Sequence, residues 1–171
     1  MNLVLVSHNF AVFIHQNQVK MLFEVLIALS TGCLGIFLGA QITEGVFFVP
    51  YWKALPPKDF FELHQTYGKK IYQFFAPLTI MATLLPLITL VYGLYTNIQS
   101  QGSLILMGLF TTLFFTTYYL YFKNANKLFA EASISHEQLP AELNKWGNWH
   151  WGRIALECIA FICALVTIIH M

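Results

Sequence analysis

Residues 71–95 read IYQFFAPLTIMATLLPLITLVYGLY, 25 positions without a charged side chain. At 1.5 Å per residue such a run exceeds the roughly 30 Å of a bilayer's hydrocarbon, and within lipid its backbone groups can be paired only inside a helix. Working outward from this segment, the same reading recurs three times. Residues 25–43 give 19 uncharged positions and the apolar run continues past Glu44 to Tyr51; residues 103–122 give 20; residues 154–171 give 18, broken only by Glu157. Over the 171 residues 57% are hydrophobic and 10% charged, against about 25% charged in a soluble domain. The expectation is an all-α integral membrane four-helix bundle. Its transmembrane domain is 21–171, with helices at about 21–50, 57–97, 103–130 and 139–170. An N-terminal extramembrane or interfacial segment, 1–20, precedes it.

The polar residues set the orientation. Pro57 marks the start of the second helix, and from there to Tyr95 is 39 residues, about 58 Å if straight. Its first turns therefore stand outside the hydrocarbon. The third helix runs on through Lys123 and Lys127, and the fourth begins near Pro140, so helices two to four overhang one end of the bundle. Eight of the nine basic residues lie there: Lys53, Lys58, Lys69, Lys70, Lys123, Lys127, Lys145 and Arg153. The positive-inside rule makes that end cytoplasmic and both termini external, with loops one and three inside. Trp52, Trp146, Trp149 and Trp151 fall at the same end, as an interfacial aromatic belt does. A net charge of +1 and three cysteines leave no basic footprint for nucleic acid and no disulfide framework. The partners expected are the lipid bilayer, a hydrophobic aromatic small molecule and, left open, further copies of the chain in a homo-oligomer.

Ionisable residues inside a membrane bundle are costly and therefore candidates for function. On the fourth helix Leu143, Trp146, His150, Arg153 and Glu157 follow a 3-4-3-4 spacing that puts them on one face. The stripe continues as Phe161, Ala164 and Ile168, so it faces the interior, and Arg153 and Glu157 are spaced to neutralise each other. On the second helix His64 shares an inward-facing stripe with Phe60, Tyr67, Ile71 and Phe74. The first helix brings Gln41 and Glu44 to the same end, and Gly35 and Gly39 form a small-xxx-small pair that lets helix backbones approach. Asn126 can bond across the bundle. The aromatics Phe114, Phe115, Tyr118, Tyr119 and Tyr121 read as core and lipid packing.

Glu44, His64, Asn126, His150, Arg153 and Glu157 thus converge from all four helices. As imidazole and carboxylate donors, His64, His150 and Glu44 suit a transition metal; a haem between the two histidines is a weaker alternative. The set can also work without metal, with histidine as acid or base and Arg153 holding an anion or enolate.

Several of these segments resemble the anthrone-oxygenase-like family of small four-helix integral membrane proteins, largely of unknown function. The similarity lies in a glycine-rich first helix leading to Glu44-Gly45 and Pro50, in Leu55-Pro56-Pro57, in Asn126 followed by Leu128 and Ala130, and in Trp146-x-x-x-His150-x-x-Arg153. The chain departs from it where Trp149 separates Asn148 from His150, and in the absence of a proline after the third helix. The resemblance implies a membrane-embedded oxidoreductase acting on an electron-rich aromatic substrate. His150 and His64 would then be acid–base or ligand residues, Arg153 would stabilise negative charge, and Glu44, Asn126 and Glu157 would orient the site. The competing class is a non-catalytic small carrier or a structural subunit of a membrane assembly. An enzyme requires a pocket of a few hundred Å³ among these residues; a scaffold requires that they pair with one another and leave none.

Overall fold

The computed structural model describes the backbone of residues 2–98 and 101–171, and side chains from Phe13 onward. Four rods account for it. Helix α1 comprises Asn2–Thr43, a π-helical turn at Glu44–Phe48 and a last stretch at Val49–Ala54. Helix α2 is Pro57–Tyr95. Helix α3 comprises Gln101–Thr117, a second π-helical turn at Tyr118–Phe122 and Lys123–Ala130, and α4 is Leu139–Ile169. No strand occurs among the described residues. All four rods are long and apolar enough to cross a membrane, and this is a multi-pass α-helical bundle. Each packs on the next, α1 on α2, α2 on α3, α3 on α4 and α4 back on α1, closing a square.

Residues 13–20 of the N-terminal segment expected at 1–20 continue α1 without a break; the side chains of 1–12 lie outside the described residues. At its other end α1 runs four residues beyond the expected 50, through Pro50 to Ala54. Proline normally crowds the carbonyl four residues back. Here it follows directly on the π turn, in which Val49 N–H reaches back five residues to the Glu44 carbonyl, and the widened ring relieves that crowding.

The interior is layered. One apolar cluster is built from Val49, Trp52, Phe60, Phe122, Phe129, Leu143 and Trp146, among others, so α1 joins the other three helices in the overhanging end. A second, deeper cluster contains Phe23, Ile27, Leu34, Phe37, Ala82, Met107, Phe114 and Ala160. The polar residues Gln41, Glu44, His150 and Glu157, all buried, lie between the two. Hydroxyl pairs tie the deeper layer together: Ser30 with Thr89 at 2.7 Å, and Ser103 with Thr167 at 2.8 Å.

Two sequence expectations about packing are corrected. Gly35 does not admit a helix backbone: a Cβ there would meet the Phe161 ring at 3.1 Å, and one at Gly39 would meet nothing. Nor do the tryptophans form a belt. Trp52 and Trp146 are buried, Trp149 stacks on Tyr121 with ring centroids 5.1 Å apart, and Trp151 alone of the four faces outward, 47% exposed. An indole has an apolar body and a polar N–H, so the same residue type serves an interface or a core.

Candidate functional site: a polar layer beneath a cleft in the bundle

On α4 the 3-4 stripe is realised. Leu143, Trp146, His150 and Glu157 are buried, while Asn144 and Asn148 on the opposite face are exposed. His150 is wholly enclosed. Its Nε2–H donates to the Gln41 carbonyl at 2.9 Å; because a carbonyl only accepts, this nitrogen carries the proton and Nδ1 is left with a lone pair. Nδ1 has no hydrogen-bond partner and faces Glu44 Oε2 at 3.8 Å. Gly45 makes this approach of α4 to α1 feasible, since a Cβ there would sit 3.3 Å from His150 Cδ2 and 3.2 Å from the Trp151 ring.

Arg153 and Glu157 do not form the ion pair their spacing allows. Gln41 reaches across from α1 and donates from Nε2 to Glu157, an intermolecular-like contact between helices that i,i+4 spacing cannot reveal. The Arg153 guanidinium instead lies among three rings, its central carbon 4.9 Å from the centre of Phe114, 5.0 Å from Phe122 and 5.7 Å from Phe37. Glu44 and Glu157 act on it electrostatically, but among the described residues it makes no direct ion pair, and its buried Nε has no hydrogen-bond partner. A guanidinium surrounded by aromatic faces, its carboxylates beyond ion-pair distance, has an N–H to offer an anion.

His64 and His150 do not face each other. Their rings end a chain of four, with centroid separations of 5.3 Å from His64 to Trp52, 5.7 Å from Trp52 to Trp146, and 4.9 Å from Trp146 to His150. Two indoles therefore stand where a shared metal or a haem would have to be. No three His, Cys, Asp or Glu side chains among the described residues are placed to hold a metal. The expected metal set of His64, His150 and Glu44 is not assembled, and the residues present do not fit that group.

A cavity of about 780 Å³ lies between α2 and α3. Glu44, His64, Asn126 and Arg153 line it; His150 and Glu157 do not, being held behind Trp146 and Gln41 respectively. Asn126 is fixed by accepting from the Trp146 Nε1–H at 2.9 Å. His64 is fixed by Nδ1–H donation to the Phe60 carbonyl at 3.0 Å and by the Phe60 ring 4.0 Å away, which leaves Nε2 as the acceptor nitrogen. The cavity exists because α2 stands off from the bundle: no residue between Phe61 and Ala82 is buried. Tyr67 and Phe74, placed by periodicity on an inward stripe, are 51% and 57% exposed. They line a second cleft of about 630 Å³ between α1 and α2, which also reaches Glu44 and Trp52.

Trp52, read from sequence as part of an interfacial belt, and Phe115, Tyr118 and Tyr119, read as packing, all line the larger cavity. The one signal for Phe115, Tyr118 and Tyr119 was their position on α3, on a stripe that leads to Asn126; Trp52, on α1, had none. No known family, characterised protein or solved structure matches the chain significantly.

Proposed function

We propose that the protein is a membrane-embedded oxidoreductase of the oxygenase type, taking an electron-rich aromatic substrate laterally from the bilayer through the cleft between α2 and α3. The observation that carries this reading is the Arg153 guanidinium, which lines the cavity without a direct counter-ion. A scaffold would have its polar residues paired and no cavity. In the proposed reaction Arg153 holds the substrate oxyanion in a low-dielectric setting where such stabilisation is largest, and His64 Nε2, at the outer end of the cavity beside Phe129, takes up the released proton. The electron-rich anion is the species that dioxygen oxidises. His150 touches no ligand in this scheme; with Gln41 and Glu44 it sets the floor on which Arg153 rests. By the positive-inside rule we place the site at the cytoplasmic side, with both termini outside.

The resemblance supplies the test compound. Anthrone, offered to the protein in lipid nanodiscs under air, is expected to become anthraquinone faster than in empty nanodiscs, with one dioxygen consumed and one water released. His64→Gln should lower the rate by about 10²-fold or more while binding persists. Binding without turnover would mark a carrier and overturn the oxidoreductase reading, as would turnover equal to that in empty nanodiscs.

A further inference from the structure

The cavity between α2 and α3 is more cationic than proton removal and oxyanion binding require. Besides Arg153, its lining includes Lys69 on α2 and Lys123 and Lys127 on α3, against a single carboxylate, Glu44. Lys127 is engaged by Glu131 at 3.9 Å. Lys69 and Lys123 make no ion pair among the described residues. Lysines that serve only to set topology need not line a cleft; Lys58 and Lys145 lie at the same end and line neither cavity.

The charge is also graded along the helices. From Lys69 to Ile80, both in the lining, the rise is about 16 Å. The far end is lined by Thr79, Ile80 and Phe115, with no charge. Arg153 lies between these ends, since its guanidinium is in contact with the rings of both Phe114 and Phe122. Lys123 and Lys127 are then about 10 Å further along α3. The volume, about 780 Å³, is that of a site for one drug-sized molecule rather than for a two-chain lipid.

We infer that the ligand of this cavity is an amphipathic organic acid. Its apolar body lies toward Ile80 and Phe115, a carbonyl or phenolic oxygen meets Arg153, and an ionised carboxylate, sulfonate or phosphate meets the lysines about 10 Å away. This deepens the proposed function by naming its substrate class, and rests on that reading for taking the cavity as the reaction site. An anion at the lysines is favoured because a cationic recess walled by apolar helices focuses its field on the opening.

The test uses bromine, which quenches tryptophan at short range, and two tryptophans line the cavity, Trp52 and Trp146. In a Trp149→Phe/Trp151→Phe background in zwitterionic nanodiscs, a brominated alkyl sulfonate is compared with the alcohol of the same chain. The sulfonate is expected to quench at a concentration at least tenfold lower. In Lys69→Gln/Lys123→Gln/Lys127→Gln the preference should fall below threefold; in Lys53→Gln/Lys58→Gln/Lys70→Gln, which loses the same charge elsewhere, it should persist. Equal affinity of the two probes overturns the inference, as does a preference that survives in the lining variant or disappears equally in both. Displacement of the sulfonate by phosphatidylglycerol would assign the lysines to lipid headgroups and also overturn it. His64→Gln should bind the sulfonate like the unsubstituted protein, so failure of the chemistry and failure of the ligand class register separately.

Discussion

Replacing Arg153 by methionine separates function from stability. The guanidinium's favourable contacts are with three phenyl rings at 4.9, 5.0 and 5.7 Å, each worth about 2 kcal/mol for a desolvated cation. Against these stand its desolvation, several kcal/mol for a charge taken out of water, and a buried Nε–H with no acceptor, which adds about 1–3 kcal/mol. Methionine keeps the length of the side chain and recovers part of the ring contact through sulfur, about 0.3–1.5 kcal/mol per contact. Glu44 and Glu157 lose a neighbouring cation, but Glu157 retains its bond from Gln41. The ledger is close to even, because removing the cation also leaves two buried carboxylates without it: Arg153→Met should lie within about 2 kcal/mol of the unsubstituted protein. The same variant should lose ligand binding at least tenfold, about 1.4 kcal/mol. Both are measurable in detergent, stability by sodium dodecyl sulfate titration of helicity and binding by tryptophan quenching. A stability loss above about 2 kcal/mol would refute the reasoning, because it would make the guanidinium a structural tie between the carboxylates rather than a ligand anchor.

Gln41→Leu removes the donor on which buried Glu157 depends and should cost about 1–3 kcal/mol. Adding Glu157→Leu should restore most of it in a double-mutant cycle, and simple additivity of the two losses would contradict the pairing. Gly45→Leu has to displace rings that already lie 3.2–3.4 Å from the position of its Cβ, and should cost about 1–3 kcal/mol in the same titration. Gly32→Ala, which meets nothing within 4 Å, should instead gain up to about 1 kcal/mol from helix propensity; similar behaviour of the two would deny the close approach of α1 and α4. Ser30→Ala breaks the 2.7 Å bond to Thr89 and should cost about 0.6 kcal/mol, the mean for such bonds in membrane bundles.

The four spans were legible because hydrocarbon excludes charge, and runs of 18 or more residues with no charge, or with Glu157 alone, register that exclusion directly. The inward face of α4 was legible for a similar reason: Trp146, His150 and Glu157 recur at helical spacing, and a polar residue in a membrane helix has to face protein. On α2 the same argument reached too far. Tyr67 and Phe74 share a face with Phe60, but periodicity says which residues lie together, not whether a neighbouring helix is there to cover them. In a bilayer, lipid and protein make equally good apolar surroundings, so the stretch where α2 stands away carries no hydropathy signature. The partners of Glu157 and Arg153 were hidden differently. Spacing along α4 offered one to the other, whereas Gln41 on α1 and the rings of Phe37, Phe114 and Phe122 took them, and such choices depend on the register between helices.

The two π turns have the least sequence signature and bear most directly on the site. One presents Glu44 and Gly45, both buried; the other ends in Phe122, whose ring lies against Arg153. Wider turns have poorer hydrogen-bond geometry than α turns and concentrate at functional sites. A π turn carries one residue more than the α-helix it interrupts, so removing one residue from 44–48 would regularise α1 and keep everything beyond it, Trp52 included, on the same face. Deletion of Val46 is therefore expected to leave helicity by circular dichroism unchanged and the span as apolar as before. It should also keep Trp52 in the ring chain that joins His64 to Trp146 and leave quenching of Trp52 by the brominated sulfonate in place. A deletion variant that binds the probe like the unsubstituted protein would show that the cleft is set by the stand-off of α2 alone. Loss of binding with retained helicity would show that the widened turn is what aims α1's overhanging end into the site.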